Sequence, residues 1–220
     1  MKQKTPKTDP GSHAYAVLKF GVRRQDVRKA AILQAVIEIL SEEGVDDLSF
    51  DRVGLKAKMS RSHVVYYFPN RDAMIEAAFR VVAFAAQEFI VANMQAAGDW
   101  QELLLRYIEG NFLWLKNHPA HASVFLLMYY QGSVKKGYSR EIHSEAREHG
   151  AKRIAHILKS APATWSSKAL QQTAKGIQAL ITGSLVDAMS TDRRSELAAR
   201  QKETQEFALA LVHNAVGSAR

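Results

Sequence analysis

The chain contains no cysteine, which excludes disulfides, thiolate metal sites and cysteine nucleophiles and agrees with a reducing, cytoplasmic setting. Proline and glycine are thin beyond residue 11, so little interrupts long helices, and wherever apolar periodicity is clear it is helical; nothing reads as a strand ladder. The longest stretch free of Lys, Arg, Asp and Glu, Asn117 to Val134, contains His118, Pro119, His121, Gln131 and Gly132. Those residues are costly in a bilayer, so no membrane partner is expected. The N-terminus lacks the apolar core and cleavage site of an export signal and is read as an arm.

Enzyme signatures are missing too. There is no nucleophile elbow, phosphate-cradling glycine loop or paired-carboxylate arrangement, so the expectation is a non-enzyme without a cofactor. Two histidine groupings, His118 with His121 and Glu145 with His149 and His156, match no ligand signature. The second reads as a solvated face beside Arg147, Lys152 and Arg153, and no metal is expected.

What is present is apolar mass and uneven positive charge. At 47% hydrophobic composition, 220 residues can bury an ample core. The net charge of +8 is concentrated at the start: residues 1–29 hold eight basic side chains against Asp9 and Asp26. A basic leader is the footprint of a polyanion binder, because neutralising phosphates releases counterions.

A first helix is expected over about Arg24 to Glu43, with Leu33, Val36, Ile37 and Leu40 on one stripe, ending at Gly44. Ser49 caps a second helix, Phe50 to Lys58, burying Phe50, Val53 and Ala57; Ser60 starts a third, Arg61 to Tyr67. Two short, closely joined helices of this kind form a helix-turn-helix, whose second member enters a DNA major groove N-terminus first. Arg61, Ser62 and His63 occupy its leading positions and are the candidates for reading bases. Tyr66, Tyr67 and Arg71 suit flanking phosphates, with Ser49 and Arg24 as further contacts where the chain enters each helix, while Val64 and Phe68 belong to the core.

A long helix from Arg71 or Asp72 to about Ala97 is apolar on every side at Val81 to Ala86, predicting a spine buried all round. Five more helices are expected at about Asp99 to Asn117, Pro119 to Gln131, Arg140 to Ser160, Ser166 to Ser190 and Ser195 to Val216. The fold class is therefore all-α. It divides into a basic arm (1–23), a three-helix head (24–71) and a six-helix body (72–220).

Residues 24–79, and above all Tyr66-Tyr-Phe-Pro-Asn-Arg-Asp72, resemble the DNA-binding domain of the TetR family of bacterial repressors. The resemblance implies a head joined by a long fourth helix to a divergent body, whose last two helices pair with a second subunit and whose interior binds an inducing ligand. Three positions depart from the family pattern: Lys58 stands where the turn usually has glycine, Gly54 where helix two has another small residue, and Val65 where the first tyrosine is usual. Lys58 calls for a strained left-handed backbone or a slightly different turn, and Gly54 loosens its helix by up to about 1 kcal/mol.

On that resemblance the homodimer interface is expected at Ile177, Ile181, Ser184, Leu185, Phe207 and Leu211, with Gly176, Ala179 and Gly183 admitting a neighbouring backbone. Aromatic and polar residues crowd the middle helices, and Tyr107, Asn111, Trp114, His121 and Phe125 are the candidates for a pocket holding a small-molecule effector. The function so read is a ligand-responsive, sequence-specific transcriptional regulator, acting as a repressor on a palindromic operator. The alternative is a helical-bundle carrier or enzyme with a vestigial head, resting on Lys58 and Val65.

Overall fold

The computed structural model describes residues 24–95, 98–134, 138–162, 165–190 and 196–217. Among them are nine helices and no strand: α1 (Arg24–Glu42), α2 (Phe50–Lys56), α3 (Arg61–Tyr67), α4 (Arg71–Asn93), α5 (Trp100–Asn117), α6 (Pro119–Val134), α7 (Tyr138–Leu158), α8 (Ser167–Ser190) and α9 (Leu197–Gly217). The expected helices occur in the expected order.

The helix starts are fixed by side-chain oxygens. Ser49, Ser60, Asn70 and Asp99 each accept a hydrogen bond from the amide three residues on, those of Arg52, His63, Ala73 and Glu102. Each such cap is worth about 1 kcal/mol. At α5 Glu102 Oε2 also accepts from the amide of Gly98, the residue before the cap, at 2.8 Å. α1 ends at Glu42, and Gly44 takes φ +85°, the left-handed conformation expected after the helix.

One apolar cluster runs from Ile32 on α1 to Val212 on α9. In the head, the α1 stripe Leu33, Val36, Ile37 and Leu40 meets Val53, Val64 and Phe68, all 3% exposed or less. The chain continues through α4, which packs on α1, α5, α6 and α7 and so joins the head to every layer of the body but the last two helices. α8 lies on α7 and α9.

Two expectations change. Gly132 does not end α6, which continues to Val134 with that glycine buried inside it; an isolated glycine lowers helix propensity without breaking a packed helix. Nor is α4 buried all round: Val82, Ala85 and Ala86 are in the core, but Ala83 and Phe84 on its other side are only half-buried. That side forms the wall of a cavity.

Candidate DNA-binding surface and effector cavity

α2 and α3 meet through a turn in which Met59 N donates to Gly54 O at 2.8 Å. The approach is so close that a Cβ on Gly54 would stand 2.8 Å from the Met59 carbonyl oxygen, so the loss of helix propensity is offset by a turn only glycine permits. Lys58 sits at φ 55°, keeping the left-handed corner without glycine. Lys58→Gly is therefore expected to stabilise the head by about 1 kcal/mol, seen as a higher urea midpoint with unchanged slope.

Around this turn the cations are mostly committed to carboxylates. Arg52 pairs with Glu43 and, at 2.8 Å, with Asp47; Lys56 pairs with Glu42 at 2.8 Å and Glu38 at 3.5 Å, and the Glu42 hydrogen bond raises its pKa. Arg61 stands 3.5 Å from Asp51 and lies over the Phe50 ring. Its side chain is 64% exposed, so it can exchange that exposed pair for DNA at little cost. Residues 24–71 carry eight basic side chains against seven acidic ones, leaving the head nearly neutral.

Ser62, His63 and Tyr66 are exposed beside Arg61 on α3. Ser60 Oγ accepts from His63 N and contacts Ser62 Oγ at 2.9 Å and His63 Nδ1 at 3.2 Å, which orders the leading turn. Tyr67 packs against the core and supports Tyr66 edge-on, with ring centroids 5.2 Å apart. Ser49 is half-buried and engaged in its cap. Arg71 is half-buried, with its Nε and Nη2 shielded from solvent and without an acceptor among the described residues. The side chain of Arg24 lies outside the described residues, as does the basic arm.

The cavity, of about 340 Å³, lies between α4, α5, α6, α7 and α8. Tyr107, Asn111, Trp114 and Phe125 line it, four of the five residues expected there. His121 does not: it sits one turn before Phe125 at the α5–α6 corner, 4% exposed and stacked on His118. Spacing alone missed Phe84 and Gln87 on α4, Tyr129 on α6, Glu145 and His149 on α7, and Gln178 on α8, together with Arg80, which pairs with Glu145 at 3.5 Å. The one available signal was that α4 is apolar on every side.

At the cavity's inner side Tyr107 O–H donates to Gln178 Oε1, Gln178 Nε2 donates to Thr182 Oγ1, and Tyr129 and Thr182 share a hydroxyl contact, each at 3.4 Å. Burial pushes the Tyr107 phenol up to about 12 and raises that of Tyr129, so both stay neutral hydroxyls near neutrality. His143, against the Tyr129 ring, is pushed down by burial and by Arg147.

The interface expectation needs correction. Ile177, Ile181 and Leu185 are 0%, 1% and 7% exposed inside the chain's own core, and Leu185 lines the cavity. Ser184 accepts from Thr204 Oγ1 at 2.9 Å, tying α8 to α9. Phe207 and Leu211, by contrast, are 62% and 40% exposed. They accompany an outer α8 face of Gly176, Ala179, Gly183 and Val186, where both glycines have open space.

Residues 32–78, which contain this helix-turn-helix, match the bacterial regulatory proteins of the tetR family. These residues form a DNA-binding domain of the TetR family. The regulator BetI of Proteus mirabilis is 20% identical over 83% of this chain and 90% of its own length, and BetI of Cronobacter sakazakii is 22% identical over 48% of this chain and 53% of its own. The fold matches a transcriptional regulator from Pseudomonas aeruginosa (TM-score 0.77, 15% identity, 92% of this chain and 99% of that one). It also matches a regulator from Saccharomonospora viridis solved in complex with choline (TM-score 0.69, 17% identity, 81% and 94%). The chain is thus a DNA-binding transcriptional regulator, and the turn at Lys58, on which a vestigial head would rest, forms a left-handed corner.

Proposed function

We propose that the protein is a homodimeric repressor that leaves a palindromic operator when a small molecule fills the cavity. The observation that carries this reading is that α4 belongs to both sites: its N-terminus follows the recognition helix, and Arg80, Ala83, Phe84 and Gln87 form one cavity wall. Two heads must sit about 34–36 Å apart, or a multiple of it, to read successive major grooves. A ligand that binds one α4 position better than another shifts that spacing. The outer faces of α8 and α9, with Phe207, Leu211 and Val186 exposed beside small residues, are suited to a twofold four-helix contact.

Choline or a related quaternary ammonium is the first effector to test. Five aromatic rings (Phe84, Tyr107, Trp114, Phe125 and Tyr129) line the cavity, a surface of the kind that holds such a cation, and choline is bound by the S. viridis neighbour. Release of a selected duplex by choline, followed by fluorescence anisotropy, tests this; a duplex that stays bound at millimolar choline rules that effector out.

Base reading and general attraction separate by mutation. Arg61→Ala is expected to erode preference at one base position by about 1–3 kcal/mol. Removing residues 1–22, which carry Lys2, Lys4, Lys7 and Lys19 against Asp9, is expected to weaken binding to every sequence and to flatten its salt dependence. Competition with single-base operator variants checks both, and a uniform loss from Arg61→Ala would contradict its role.

A further inference from the structure

Gly150 lies buried within α7, where glycine costs about 1 kcal/mol relative to alanine. The space it leaves is occupied: a Cβ there would stand 2.1 Å from Gln178 Oε1 and 2.6 Å from Gln178 Cδ. Two helices therefore cooperate to seat one amide at the cavity. That amide is loosely held. Its bonds to Tyr107 O–H and Thr182 Oγ1 are both 3.4 Å, at the long limit for a hydrogen bond, while one Nε2 hydrogen and one Oε1 lone pair remain available.

The rest of the lining narrows the chemistry that meets it. The two opposite charges, Arg80 and Glu145, are half-exposed and already face one another, so the inner groups are uncharged. Gln87 Oε1 and Trp114 Nε1 are shielded from solvent without a hydrogen-bond partner among the described residues, and both residues line the same cavity. Trp114 is only 3% exposed. Native proteins seldom leave such atoms unpaired. The lining thus offers an N–H that needs an acceptor and a carbonyl that needs a donor, next to an amide that can be both; a hydroxyl group answers all three.

We propose that Gln178 is the specificity-determining residue of this cavity, that its amide reads a hydroxyl on the effector, and that Gly150 is the positioning residue that makes room for it. The inference rests on the cavity being the effector site but not on the effector being a cation. Its test uses two pairs of probes differing by one hydroxyl: choline with ethyltrimethylammonium, and benzyl alcohol with toluene. Affinities are measured by calorimetry on the full chain and on Gln178→Leu and Gly150→Ala.

The hydroxylated member should bind about tenfold more tightly, the worth of one net hydrogen bond. The ratio should fall toward unity in both variants, with the deoxy probe still bound. Gly150→Ala is the sharper variant, since the clash is with the far end of a flexible side chain and the new residue favours helix; its melting temperature should not fall. Equal affinities in the unmodified chain, a ratio that survives both substitutions, or no binding by any of the four probes at millimolar concentration would overturn the proposal. Binding by the uncharged pair alone would instead reject the cationic effector and leave the hydroxyl reading standing.

Discussion

Gly54→Val is expected to abolish sequence-specific DNA binding while leaving the body's helices intact. The added Cβ would lie 2.8 Å from the Met59 carbonyl oxygen, a backbone atom that no side-chain rotation can move away. α2 must then separate from the turn that aims Ser60 and the first residues of α3. Overpacking of this kind costs about 3 kcal/mol at its upper range. It falls on a small unit whose core is built around Val53, Val64, Phe68 and the α1 stripe. Circular dichroism and gel shift on the same sample check this: near-native helicity with no shifted complex is the expected pair of results, and retained operator affinity would mean that the head does not depend on this contact.

Ala83→Phe is expected to leave DNA binding unchanged and to remove the response to effector. Ala83 is half-buried on α4 and faces the cavity, so a phenyl ring there occupies space the ligand needs without touching α3. Ligand affinity should fall by about 100-fold or more, corresponding to about 2.7 kcal/mol. Calorimetry with choline, or with whichever compound releases the selected duplex, and anisotropy with the duplex separate the two effects. If the variant still lets go of DNA at the same ligand concentration, this cavity is not where the effector acts.

The parts of this molecule legible in the sequence are those fixed by local chemistry. Ser49, Ser60 and Asp99 mark helix starts because their oxygens bond amides three residues away, and Gly44 marks a stop because of its backbone freedom. The recognition helix follows from two such starts close together. α8 was harder, because it is apolar or small on two faces, and spacing does not tell which face meets its own chain. The large side chains Ile177, Ile181 and Leu185 turn inward, and the small ones, Gly176, Ala179 and Gly183, turn out.

The cavity was partly legible for a related reason. An aromatic stripe at helical spacing points to Tyr107, Trp114 and Phe125, but His121 continues the Phe125 stripe into the α5–α6 corner, beyond the cavity. Gln178 and Gly150 are 28 residues apart and become related only when α7 packs on α8. Nor does its place at the first position of α4 disclose that two of the Arg71 nitrogens are shielded from solvent.

The most direct test of the central claim is selection of duplexes from a random pool by the purified protein, followed by titration of the enriched sequence at about 50 and 200 mM salt against random competitor. The expected result is an enriched palindrome whose half-sites match the spacing of two heads, bound far more tightly than the pool and progressively weakened by salt. A pool that yields no enriched sequence, or a winner displaced by random DNA at equal concentration, would contradict it.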